Sequence, residues 1–141
     1  MTITEIILHH SLTKDTGTVS WPVIRKYHKG LGWIDIGYHF GIEDINGSYE
    51  ILMGRMLFQP GAHTKGHNKN SIGICFVGNF DDFKPPEAQW YKGIKLVRWL
   101  LFNFRLTPDH VHGHNEFADY KTCPGKMFDL DKFRDDLHLG G

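Results

Sequence analysis

The chain has 141 residues, 40% hydrophobic and 13% aromatic, which is enough apolar material for one compact core and too little length for two domains. Sixteen basic side chains balance sixteen acidic ones, so no bulk electrostatic attraction draws it to nucleic acid or to anionic lipid. Any partner has to be met at a local site.

The N-terminus, "MTITEIILHHSLTKD", lacks the basic start, long apolar stretch and small-residue cleavage site of a secretory signal. No run approaches the ~18 to 20 apolar residues of a membrane span. The expectation is a protein made in the cytoplasm, without a membrane segment, whose export depends on something outside this chain. "TITEIILHH" alternates and then runs apolar through Ile6, Ile7 and Leu8, a buried strand that ends in polar residues. "SWPVIRKYHKGLG" has Ser20 placed as an N-cap, Pro22 in the first turn and Gly30 and Gly32 as stop signals, which predicts a helix over 21–29. "IGYHFGIE" and "YEILMGR" read as two strands of a hairpin, joined by "DINGS", whose Asn46-Gly47 pair favours a tight reversal.

"FQPGAHTKGHNKN" is a polar loop carrying His63 and His67, and "NSIGICFVGNF" after it has the β-branched and aromatic density of a central strand. Cys75 inside that strand reads as a small buried hydrophobe. "PPEAQWYKGIKLVRWLLFNFRL" sets Trp90, Ile94, Val97, Leu101 and Phe104 at helical spacing, the stripe of a helix packed on a core. "DHVHGHNEF" predicts a short strand running into a loop, and "MFDLDKFRDDLHLGG" a last helix starting near Leu130 with Asp129 as its cap. The order predicts a single mixed α/β domain over 1–141, a central, mainly β sheet flanked by helices.

The histidines are the compositional excess, ten of them, and seven fall in clusters: His9 and His10, His63 and His67, and His110, His112 and His114. Imidazole and thiolate hold a borderline-soft ion such as zinc, and a reducing compartment leaves Cys123 a free thiol or a ligand. The eight residues between His114 and Cys123 are too wide a gap for a zinc knuckle, but a loop could return both to one ion with His9 as the third donor. Three protein ligands leave a fourth position for water, the mark of a catalytic site. A spacing of two would put His110, His112 and His114 on the same face of a strand, so spacing alone does not pick the ligand.

Four ordered motifs, "IILHHSLT", "GYHFGI", "GAHTKGHNKNSIGICFVGNF" and "GHNEFADYKTCPG", make the chain resemble the zinc-dependent N-acetylmuramoyl-L-alanine amidases of the phage lysozyme and peptidoglycan-recognition-protein type over nearly its whole length. The resemblance implies one Zn²⁺ held by His9, His114 and Cys123, with Tyr38 and Lys121 as catalytic residues. The reaction it implies is water attack on the amide between N-acetylmuramic acid and L-alanine in peptidoglycan. Tyr38 would orient water or assist proton transfer through a phenol whose pKa a nearby cation should lower, while Lys121 would pair with the oxyanion. His67 and Asn68 match the substrate-groove segment, with His63 set below them. His10, His39, His110 and His112 are assigned to structure or support.

Two other functions sit on the same fold: a non-catalytic peptidoglycan receptor, whose members typically lack the cysteine that Cys123 supplies here, and an endopeptidase cutting within the stem peptide. Some phage amidases of this type also bind RNA polymerase, and neither the charge nor the N-terminus of this chain speaks for that partner. A monomeric endolysin without a cell-wall-binding module, reaching the wall after release, is the expectation.

Overall fold

In a computed structural model describing residues 2–12 and 20–138, one five-stranded sheet carries helices on both faces. The strands are β1 (Glu5–His10), β2 (Phe40–Ile45), β3 (Ser48–Met53), β4 (Ser71–Phe76) and β5 (Val111–Gly113), in the order β3-β2-β4-β1-β5. β4 runs parallel to both β1 and β2, β5 runs parallel to β1, and only the β2–β3 hairpin is antiparallel. The helices are α1 (Trp21–Gly30), α2 (Glu87–Phe104) and α3 (Leu130–His138).

Period-two alternation divides the two faces. Ile6, Leu8, Ile72, Ile74 and Phe76 join the main core with Trp90, Ile94, Val97, Leu100 and Leu101 of α2 and Phe133 and Leu137 of α3. The helical stripe predicted for α2 is the one that packs. Phe133 is fully buried, its ring 5.0 Å from Trp90 and 5.6 Å from Phe128, and burying one such side chain contributes about 1.5–3 kcal/mol. On the other face Trp21, Ile36, Cys75 and Val77 form a smaller cluster beneath α1, with Tyr38 packed against it.

The hairpin reverses at Asn46 and Gly47, both at positive φ (54° and 91°), and Asp44 Oδ1 accepts the Gly47 N–H at 2.8 Å. Its first strand begins at Phe40 rather than at 36, because the N–H groups of Ile36 and Gly37 donate to Asp35 Oδ1 and His28 Nδ1 instead of to a ladder. Tyr38 therefore stands just before the strand. At the start of α1, Ser20 has extended N-cap dihedrals but makes no side-chain cap bond. The Trp21 N–H donates instead to the buried carboxylate of Glu43 at 3.0 Å, a negative group at a helix N-terminus. Asp129 caps α3 as expected, accepting the Lys132 N–H at 3.0 Å.

The last strand is short, as its sequence suggests, and it does not extend over all three histidines. β5 holds three residues between two 3₁₀ turns, Pro108–His110 and His114–Glu116, so the three histidines do not share a strand face. His110 bonds to Thr107, His112 lies within the strand, and His114 is where the chain leaves it. Turn geometry, not strand alternation, aims His114.

Candidate functional site

Parallel pairing puts the C-terminal ends of β1 and β5 side by side, Ile7 against His112 and Leu8 against Gly113, which brings His9 beside His114. Their ring centroids are 4.7 Å apart. Successive residues of a strand face opposite ways, so only one histidine of the His9-His10 pair can enter the site. His10 turns to the other side, where its Nδ1 accepts the Phe80 N–H at 3.0 Å.

Cys123 comes from the loop after β5. That loop is pinned across the molecule: Asp81 accepts the Thr122 hydroxyl at 3.0 Å and the Lys126 N–H at 2.9 Å, and the Met127 N–H donates to Phe80 O at 2.6 Å. Burial opposes ionisation of Asp81, but the Lys126 N–H, the Thr122 hydroxyl and the nearby His10 and Lys126 win and hold its carboxyl below its ordinary pKa. The anchored loop delivers Cys123 Sγ to 3.2 Å from the His10 N–H, which donates to it, and to 3.6 Å from His9 Nδ1.

One donor atom each from His9, His114 and Cys123 lies within 4.8 Å of the others, and these three form the one such metal-type cluster among the described residues. Bonds of about 2.1 Å to nitrogen and 2.3 Å to sulfur at a tetrahedral angle place those two atoms roughly 3.6 Å apart. The His9–Cys123 separation matches that edge. The electrostatics suit a cation as well. Burial above all, then the neighbouring His63 and His114, lowers the His9 pKa well below its usual value, and burial with the Lys121 charge lowers His114. Both imidazoles are neutral near pH 7, with a lone pair to offer. Burial pushes the Cys123 thiol up to about 12 against the His10 N–H and Lys121, so the thiol keeps its proton near pH 7 until a metal ion displaces it. Two imidazoles and a thiolate fit a borderline-soft metal ion.

The donors lie at a cleft of about 620 Å³ that Val23, Ile24, Tyr27 and Trp33 also line, together with Tyr38, His63 and Lys121. A depression of similar size, about 700 Å³, between Lys84, Lys126 and Arg134 holds none of the three donors, so chemistry rather than volume marks the site. Tyr38 packs its ring 5.1 Å from that of His9. Burial, then the Cys75 and Cys123 sulfurs beside it, pushes the Tyr38 phenol well above its ordinary pKa. The protein's own groups thus disfavour the phenolate, and a cation held beside the ring would act in the other direction. Lys121 is exposed at the rim, its ammonium 5.6 Å from the Tyr120 ring.

His67 and Asn68 do not line the cleft. His67 pairs with Glu5 at 2.9 Å and stacks on Phe117 with centroids 4.0 Å apart. Asn68 Oδ1 accepts the N–H groups of His63 and Thr64 at 2.8 and 2.9 Å, which closes the loop on itself. His63, set below them on sequence, is buried in the site with its Nδ1 2.9 Å from His9 Nε2. Asp81, five residues beyond the end of β4, is likewise invisible in the motif that it anchors.

A family model described as N-acetylmuramoyl-L-alanine amidase matches residues 1–126. The chain is 36% identical over 135 residues to the endolysin of Escherichia phage T7, covering 91% of this chain and 83% of that protein. To the endolysin of Klebsiella phage KP32 it is 37% identical over 132 residues, with 92% and 83% covered. Among solved structures it is similar to the N-acetylmuramoyl-L-alanine amidase LysC from Clostridium intestinale, with a TM-score of 0.85 and 26% identity over 99% of this chain and 88% of that one.

Proposed function

The chain belongs to the N-acetylmuramoyl-L-alanine amidase family, and from that premise we propose how its residues carry out the reaction. It is a peptidoglycan amidase that hydrolyses the amide joining N-acetylmuramic acid to L-alanine, in the manner of the lytic endolysins to which it is similar. The C–N bond breaks, water supplies a hydroxyl to the lactyl carbonyl carbon, and the released amine of L-alanine takes the proton. The observation that carries the mechanistic reading is the convergence of His9, His114 and Cys123, from three separate segments, at the cleft.

These three side chains would hold one Zn²⁺. When bound there, the ion supplies a water acidified to a pKa of about 7 and polarises the carbonyl to be attacked. Lys121 donates from its ammonium to the carbonyl oxygen as negative charge develops on it. Tyr38 keeps its proton at neutral pH and acts as a hydrogen-bond donor to substrate or water rather than as a base. Val23, Ile24 and Tyr27 of α1, with Trp33, give the cleft an apolar wall against which the substrate excludes water. Asn68 shapes the loop that presents His63, and His67 braces it from outside through Glu5 and Phe117.

The reading gives the chain a role at the cell wall, and no helix among the described residues is long and apolar enough to cross a membrane. Digestion of purified sacculi tests it: newly exposed L-alanine amino groups should appear in step with muramic acid residues free of a stem. Amino groups of other stem residues instead would make the enzyme an endopeptidase.

A further inference from the structure

We infer that His63 is the positioning residue for the metal centre: its Nδ1 accepts a hydrogen bond from the Nε2–H of His9, which leaves the bare Nδ1 of His9 facing Cys123. This deepens the metal-centre reading above and rests on it. The backbone carbonyl of His67 can only accept a hydrogen bond. Ser71 Oγ lies 2.6 Å from it, so the single hydroxyl proton of Ser71 is committed there. His63 Nε2 is 3.3 Å from the same Ser71 oxygen, which has only lone pairs left to offer, so Nε2 carries the proton of the His63 ring.

His63 is buried, and its ring partners are His9, Thr64 and Ser71, none of them a carboxylate, so it is neutral with one ring proton. Its Nδ1 is then an acceptor. The atom facing it at 2.9 Å is His9 Nε2, which must be the donor. Neutral His9 therefore has its lone pair on Nδ1, the nitrogen 3.6 Å from Cys123 Sγ. Thr64 Oγ1, 2.9 Å from His63 Nδ1 and 3.3 Å from His9 Nε2, sits astride the same bond, and neither contact calls for a proton on His63 Nδ1.

The ring has a built seat. A Cβ at Gly73 or at Gly61 would come within 2.5 Å of His63 Cδ2, so the imidazole lies against the backbone at two places and only glycine leaves it room. An imidazole ligand whose second nitrogen is held in this way is fixed in tautomer and ring orientation, which strengthens metal binding.

The full-length protein labelled with ¹⁵N and freed of metal gives the direct test. Long-range ¹H–¹⁵N correlation should show both His63 and His9 as Nε2–H tautomers, and an Nδ1–H tautomer on either would overturn the inference. Zinc affinity measured against a competing chelator supplies the second arm. His63→Leu should weaken zinc binding by about 10- to 100-fold. His63→Asn, which returns an acceptor oxygen near the Nδ1 position, should bind more tightly than His63→Leu. Leucine binding zinc as tightly as wild type, or asparagine no better than leucine, would contradict the role. If His63→Leu does not fold, Ser71→Ala takes its place and should loosen both the tautomer pattern and the affinity; an unchanged pattern overturns the relay. Failure of the wild-type protein to bind zinc would reject the metal centre itself, whereas the metal-free spectra still judge the hold of His63 on His9.

Discussion

Nδ1 of His9 and the sulfur of Cys123 stand 3.6 Å apart across 114 positions of sequence. Two structures make the meeting: parallel pairing fixes the end of β1, and Asp81 ties down the loop that carries the cysteine. Cys123→Ala should remove stoichiometric zinc and hydrolysis together, as should His9→Ala and His114→Ala. Metal analysis of the purified variants checks this, and a variant that retained one tightly held zinc would strike that residue from the ligand set.

Lys121 separates binding from catalysis. It lines the cleft without belonging to the donor cluster, so Lys121→Ala should keep zinc while the rate falls roughly 10²- to 10³-fold, the cost of losing one oxyanion donor. Steady-state kinetics alongside metal content measures both. A near-native rate would remove Lys121 from the mechanism.

Tyr38→Phe deletes only the hydroxyl, and the ring packing against Trp21 and His28 survives. Zinc content and thermal stability should therefore stay close to wild type while the rate drops by about 10²-fold or more. Because burial raises the phenol pKa, no loss of activity from Tyr38 ionisation should appear through the neutral range. Kinetics of the two proteins from pH 6 to 9 compare these expectations.

Away from the site, Asp136 accepts hydrogen bonds from Lys132 Nζ at 2.9 Å and from Trp90 Nε1 at 2.8 Å, and these two partners hold its carboxyl below its ordinary pKa. A folded pKa depressed below the unfolded value of about 3.9 contributes stability that is fully present above that value and lost as pH falls through the folded pKa. The Lys132 pair is exposed and worth little, so the Trp90 bond carries most of the effect. Asp136→Asn should cost about 1 kcal/mol at pH 7 and progressively less below about pH 4. Urea unfolding of both proteins at pH 7 and pH 3 reads the difference.

Much of this architecture is legible in the residues, and what is not has a physical reason. The apolar run of β1 ends at its two histidines, the helical stripe of α2 packs as its spacing implies, and Asn46-Gly47 makes the predicted turn. Local periodicity carries each of these. His63 reaches His9 from 54 positions away, and Glu43 reaches Trp21 from 22; both contacts arise when parallel strands and packed loops come into register. No spacing rule along the chain contains such a meeting. One miss is more local: Ser20 makes no side-chain cap bond, since N2 is Pro22, which has no N–H to give, and the Val23 N–H goes to the Ser20 carbonyl.

In the mechanism proposed above, cleavage of the muramoyl–alanine amide depends on zinc held by His9, His114 and Cys123. Mass spectrometry of sacculi digested by the wild-type protein, by the same protein after chelation, and after zinc is restored tests it most directly. Glycan strands stripped of stems should appear together with intact stem peptides beginning at L-alanine, both lost with the chelator and recovered with zinc. Cleavage elsewhere in the stem, or undiminished digestion by metal-free protein, would contradict it.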